Sequence, residues 1–331
     1  MILAGDIGGT NTRLAVFDGT AGQPVSVALE VFPSRIHKGP EEILQKFLER
    51  HHYPIEAAAF GIAGAIRNGR VETPNLPWSV DSCSVADSMG LKQISLLNDL
   101  EANAHGIAVL GADDLTTLAE GTPSASGNRV LISAGTGLGE AGLLVEGANY
   151  RPYHSEGGHG DFAPRNETEI ELLRYLMKKF EHVSYERVLS GPGLYNVYQF
   201  LRDTGRAEEP PWLTEELKRE PSAVIGTHAI KGDSPICEMA MDLVVSIYGA
   251  EAGNLALKGM ATGGVYIGGG IAPKILPKLQ QGGFMEAFRA KGRMAKLMEA
   301  IPVRVILNDK TALLGAARVA FLGPLQSRRA G

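Results

Sequence analysis

Two cysteines in 331 residues, Cys83 and Cys237, are too few and too far apart for a disulfide framework or a metal knuckle. Positive charge is not in excess either. Lys and Arg number 32 against 37 Asp and Glu, so neither nucleic acid nor an anionic membrane is an expected partner. No apolar run reaches the ~20 residues that cross a bilayer. Gly5 and Asp6 fall where the apolar core of a leader would begin, so no secretory leader is expected. Long linkers and low-complexity segments are also missing. With 44% hydrophobic and 21% charged residues, the expectation is a reduced, cytoplasmic globular protein long enough for two domains. Glycine is plentiful instead: 41 residues, gathered in a few turns.

The first such turn lies in GDIGGTNTRLAVFD, residues 5–18, between two short apolar stretches that read as strands. PVSVALEVFP continues with period-two alternation as a third strand. GPEEILQKFLERH reads as a helix with Pro at its start, AAAFGIAGAI as a strand, DSCSVADSMG as a short helix closed by Gly90, QISLL as a strand and LEANAHGIAVLG as a helix. A hairpin followed by alternating elements predicts a mixed α/β sheet. The pattern then restarts: RVLISAGTGLGEAGLLVEG, residues 129–147, is again strand, glycine turn, strand, with Gly137 matching Gly9. A third glycine turn, in GGVYIGGGIAPKIL, follows a long helical stretch from about 236 to 260, and NDKTALLGAARVAFLG closes the chain as a helix.

Neither opening turn is a Walker loop or a dinucleotide fingerprint, because the lysine is missing and a strand, not a helix, follows. A hairpin with free backbone N–H groups remains, joined by the hydroxyls of Thr10 and Thr12 or of Thr136. Such a concavity suits phosphate oxygens. Asp6, beside the first turn, offers the hard oxygen that Mg²⁺ requires, through direct or water contacts. A purely structural hairpin explains any one turn alone; three at strand ends favour a ligand.

ISLLNDLEA puts Asn98 and Asp99 where a strand gives way to a helix, the place where open α/β sheets gather ligands. Helix capping by Asp99 accounts for the same residues, and the two readings stay open. YHSEGGHGDFAP adds Glu156 and His159. The glycines between them forbid the helical di-iron arrangement of Glu and His, and a lone histidine is also a common packing residue. SYERVLSGPGL supplies Glu186 and Arg187, readable as a surface ion pair, and TPNLPW supplies Asn75 and Trp78. Asn, Asp, Glu and His together suit a polyol, whose hydroxyls donate and accept at once.

Taken together, GDIGGTN, SAGTGLG, GGVYIGGGIAPK, LLNDLEA, SEGGHGDFAP and YERVLSGPGL, in that order, resemble the bacterial glucokinases of the hexokinase and actin-like ATPase superfamily, outside the ROK branch. The likeness runs over nearly the whole chain. It implies a two-domain, ribonuclease H-like α/β fold with mixed sheets flanked by helices and an interdomain cleft. The domains expected are residues 1–110 with 308–331 and residues 111–307, with hinges near Gly111 and Asn308. The implied reaction is ATP-dependent phosphorylation of glucose at its 6-hydroxyl, with Asp99 as general base. By the same resemblance Asn75, Asn98, Asp99, Glu156, His159 and Glu186 meet the sugar. Gly8, Gly9, Thr10 and Asn11, with Gly135, Thr136 and Gly137, meet phosphate; Gly269 and Gly270 belong to the adenosine motif. Mg²⁺ with Asp6, and a homodimer, complete the picture. Pro74 departs from the Thr-Asn step common in these enzymes. Other readings are a kinase for another hexose or an N-acyl hexosamine, and a sugar-sensing regulator without chemistry.

Overall fold

A computed structural model describes residues 1–73, 76–122, 127–147 and 149–323. The chain divides into two compact units: Met1–Ala112 with Pro152–His154 and Asn308–Gly331, and Asp113–Arg151 with Ser155–Leu307. No helix among the described residues is long and apolar enough to cross a membrane.

The first unit opens with strands β1 (Ile2–Ile7), β2 (Asn11–Thr20) and β3 (Gln23–Pro33) as an antiparallel meander. Helix α1 (Pro40–Arg50) starts with Pro40 in its first turn and carries Glu41 and Glu42 near its positive end. Strand β4 (Ala57–Ile62) then returns parallel to β1. A ribbon of β5 (Ile66–Arg67), β6 (Arg70–Glu72) and β7 (Ser79–Asp81) leads into α2 (Ser82–Ser88). The carboxylate of Asp81 caps α2 by accepting the N–H groups of Cys83 and Ser84. Strand β8 (Ser95–Asn98) lies parallel to β4, and α3 (Asp99–Gly106) begins at the next residue. The sheet order β3-β2-β1-β4-β8 aligns the carboxyl ends of β1, β4 and β8 on one edge.

The second unit repeats the device. Strand β9 (Leu115–Ala119) precedes a hairpin of β10 (Arg129–Ala134) and β11 (Leu138–Glu146), followed by β12 (Asn149–Ser155). Helices α4 (Glu167–Leu176), α5 (Gly191–Asp203), α6 (Pro211–Glu216) and α7 (Pro221–Lys231) surround α8 (Pro235–Gly259). Helix α8 is apolar nearly all round because it is buried on most sides, which explains its lack of a polar stripe. Strand β13 (Gly264–Gly268) then pairs parallel with β10, as β4 does with β1. Helices α9 (Leu276–Gln280), α10 (Gly283–Arg289) and α11 (Ala295–Ala300) lead to β14 (Val303–Ile306), and the order is β12-β11-β10-β13-β14-β9.

Helix α12 (Thr311–Leu322) packs on α3, β1 and β4 of the first unit. Small residues make this approach close: Ala4, Ala59, Ala102, Ala316 and Ala317 form the seam. At the crossing, a Cβ on Gly315 would overlap the carbonyl oxygen of Ala102, and one on Gly106 would overlap that of Thr311. The helix that begins with Asp99 is therefore held by backbone-to-backbone contact. Replacing Gly315 by Ala should push the helices apart and cost ~2–3 kcal/mol of unfolding free energy in urea denaturation; an unchanged midpoint would contradict this packing.

Candidate active site

In the first unit the glycine turn Gly8–Thr10 joins β1 to β2. It is tight, with the Gly8 N–H donating to the Asn11 carbonyl at 3.0 Å. Ser34 supports it from behind: its Oγ donates to the Gly8 carbonyl at 2.7 Å and its N–H to the Thr10 carbonyl at 2.9 Å. Thr10 and Asn11 are exposed and Gly8 and Gly9 half-buried. Thr12 differs from expectation. Its hydroxyl is buried and lies 2.9 Å from Ser34 Oγ, so it braces the turn and does not face a phosphate.

Asp99 stands as the first residue of α3, at the carboxyl end of β8. The capping residue is Asn98: its Oδ1 accepts the Leu100 N–H at 2.9 Å, and its Nδ2 donates to the Gly64 carbonyl at 3.3 Å. Asp99 Oδ1 also accepts the Leu100 N–H, at 3.0 Å. Asn98 holds the cap position, both side chains offer an oxygen to the Leu100 N–H, and Asp99 lies half-buried beside the cap.

Asp6 sits near this carboxylate, at the same sheet edge. Burial raises its carboxyl to about 6 against the pull of Arg13, and the charges of Asp99 and Asp309 add to the rise. Arg13 faces Asp6 across the β1–β2 ladder, with Nη1 3.8 Å from Asp6 Oδ2. Its Nη2 is 2.9 Å from Asp309 Oδ2. Arg13, Asp309 and Ser34 escaped the sequence reading. The hairpin register was the one available signal for Arg13, since residues opposed across a ladder share a face.

The second unit carries the other groups. Gly135, Thr136 and Gly137 form the turn between β10 and β11, with the Gly135 N–H donating to the Gly137 carbonyl at 2.8 Å. Gly269 and Gly270 follow β13, the parallel neighbour of β10, so both turns sit at adjacent strand ends. Gly269 has φ of 84° and presses on the Ala134 carbonyl, a place where a side chain fits neither the backbone nor the space. Glu186 lies on the short turn Tyr185–Arg187, and its Oε2 accepts the Leu138 N–H at 3.0 Å. It is therefore not a surface ion-pair residue, and Arg187 stacks on Phe180 instead. Glu156 precedes the 3₁₀ turn Gly157–His159, whose threefold period brings the Glu156 and His159 side chains to 4.0 Å. Both are well exposed, and His159 and Glu186 line one open pocket. Asn75 lies outside the described residues. Trp78 Nε1 is buried with no partner among the described residues.

Among the described residues no group of three or more His, Cys, Asp or Glu is arranged to hold a metal ion. Asp6, beside the first glycine turn, offers a hard oxygen donor whose charge is disfavoured by its surroundings, which suits a cation completed by other ligands.

A family model described as Glucokinase matches residues 3–322. A glucokinase of Nostoc punctiforme is 43% identical over 96% of this chain and 98% of its own length. The crystal structure of a glucokinase from an Antarctic psychrotroph superposes with a TM-score of 0.85 at 29% identity, covering 96% of this chain and 98% of that one. A ROK-family glucokinase from Streptomyces griseus, in complex with glucose and AMPPNP, shares the fold with a TM-score of 0.65 at 21% identity, covering 97% and 99%.

Folding holds the Asp6 proton more tightly than the unfolded chain, whose value is 3.8. The stability of the ligand-free protein should then fall as pH rises from about 4 to about 6. Asp6→Asn should be more stable than the parent at pH ~7, by about 2 kcal/mol, and equal to it at pH ~4. Urea unfolding at the two pH values measures this, and a variant destabilised at both would contradict the assignment.

Proposed function

The chain belongs to the glucokinase family and phosphorylates glucose with ATP, and we propose that it does so at the 6-hydroxyl with Asp99 as general base. The supporting observation is local: Asn98 takes the cap, while the Asp99 carboxylate stands at the carboxyl end of β8 close enough to Asp6 to raise its pKa. Asp99 accepts the hydroxyl proton as O6 attacks the γ-phosphorus. The O6–P bond forms, the bond from that phosphorus to the bridging oxygen breaks, and ADP leaves. The transition state of such a transfer is loose, so positioning and charge stabilisation do most of the work.

In this reading Asn75, Asn98, Glu156, His159 and Glu186 exchange hydrogen bonds with the hexose. The N–H groups of Gly8–Asn11 and Gly135–Gly137 meet phosphate oxygens without Cβ obstruction, and Gly269 and Gly270 admit the adenosine. Asp6 would hold Mg²⁺, directly or through water, with the nucleotide completing the coordination; the ion would offset phosphate charge. A homodimer in the cytoplasm completes the reading; the free thiols Cys83 and Cys237 accord with a reducing compartment.

Asp99→Asn should lower kcat by ~10²–10⁴-fold while equilibrium titration with glucose changes little. Preserved turnover in a coupled ADP-release assay would remove Asp99 from the mechanism. Glu156→Gln should raise the KM for glucose about tenfold or more; unchanged KM and kcat would exclude Glu156 from the sugar site.

A further inference from the structure

The turn that carries Glu156 and His159 rests on a buried carboxyl pair that the phosphoryl transfer does not use. Glu140 on β11 is 2% exposed and Glu251 on α8 is 1% exposed. A Cβ on Gly157 would overlap Glu140 Oε2, and one on Gly158 would overlap the Leu138 carbonyl oxygen. The backbone of the turn thus lies directly on β11, with the Glu140 carboxyl beneath it.

The Glu140 carboxyl also lies in the field of the Glu251 carboxyl, and a proton on Glu140 relieves the repulsion between them. Burial, then the Glu251 charge, push Glu140 up to about 7, with Lys258 opposing. Glu140 Oε1 has no hydrogen-bond partner among the described residues, which also disfavours its charged form.

The groups facing the pair come from every neighbouring element. From α8, Lys258 Nζ stands 3.8 Å from Glu251 Oε1, Asn254 Nδ2 donates to Glu251 Oε2 at 2.7 Å, and Tyr248 lies in the field of Glu140. Lys291 Nζ donates to Asn254 Oδ1 at 2.6 Å, and Lys291 and Tyr185 both feel the charge of Arg165. The Tyr185 hydroxyl accepts from Asn254 Nδ2 at 3.1 Å and lies in the field of Glu251. Tyr185 is the residue before Glu186 and opens its turn. One network therefore underlies both turns that carry sugar-site candidates of this unit.

We propose that Glu140 is a positioning residue for the hexose: buried and protonated beneath Gly157, it seats the turns of Glu156, His159 and Glu186, and loss of that proton unseats them. The proposal rests on the reading that those three side chains bind the sugar. An ionised Glu140 would carry a buried charge in the field of Glu251, directly under the Gly157 backbone. A glutamine at 140 has nearly the same shape and stays uncharged, with an amide N–H in place of the carboxyl proton, at every pH of the test.

The test is the KM for glucose and the KM for ATP from about pH 6.5 to 8.5 in the parent and in Glu140→Gln. In the parent, the KM for glucose should rise roughly fivefold over that range while the KM for ATP stays level. Glu140→Gln should keep the low value throughout. A flat parent profile, an equal rise in the variant, or a matching shift in the KM for ATP would each overturn the proposal. Glu156→Gln in the Glu140→Gln background, where position 140 stays neutral, tests the sugar-site reading by itself, so the two failures are distinguishable.

Discussion

Burial of one carboxyl at the edge of the first unit's sheet, with two further carboxylates near it, is the constraint on which the site depends. Asp6 ends β1, Asp99 follows β8 and Asp309 precedes α12, with Arg13 bound to Asp309 and more distant from Asp6. Burial, with the charges of Asp99 and Asp309 adding to it, keeps Asp6 largely protonated below about pH 6. Such crowding lowers the stability of the ligand-free fold, a common property of sites that await a cation or perform proton transfer. The packing of α12 on α3 through Gly106 and Gly315 resists it by fixing the helix that begins with Asp99.

The second unit presents bare backbone amides at its glycine turns. Its glycine turns stand at the ends of two parallel neighbours, β10 and β13, and Gly269 sits where any side chain would strike the Ala134 carbonyl. Glu186 is tied to the first of these turns by the Leu138 N–H. A sugar-site candidate and a phosphate-site candidate therefore share one hydrogen-bonded frame. Both units use the same plan, an antiparallel hairpin whose first strand gains a parallel neighbour, which accounts for the recurrence in the sequence.

Much of this was legible before the structure. The glycine clusters, the Asn98-Asp99 step at a strand end and the long apolar run that became α8 all follow from local chemistry and periodicity. Capping and a functional role at Asp99 stayed undivided in the sequence, because the side chains of Asn98 and Asp99 both reach the same N–H and only backbone angles separate them. Thr12 read as a phosphate ligand because alternation does not reveal that Ser34 lies behind it. Contacts across long separations left no local trace: Asp309 lies 296 residues from Arg13, and Glu251 comes to Glu140 from a different element. The β5–β7 ribbon has strands of two and three residues, too short to show a period.

The central claim is that the carboxylate placed by the β8–α3 junction receives the proton of the attacking alcohol. A crystal structure of the protein with glucose and a non-hydrolysable ATP analogue measures this most directly. The account predicts an Asp99 carboxylate oxygen within ~2.6–3.2 Å of the glucose O6, with O6 facing the γ-phosphorus. A different basic group at that distance, with Asp99 turned from the sugar, would contradict it.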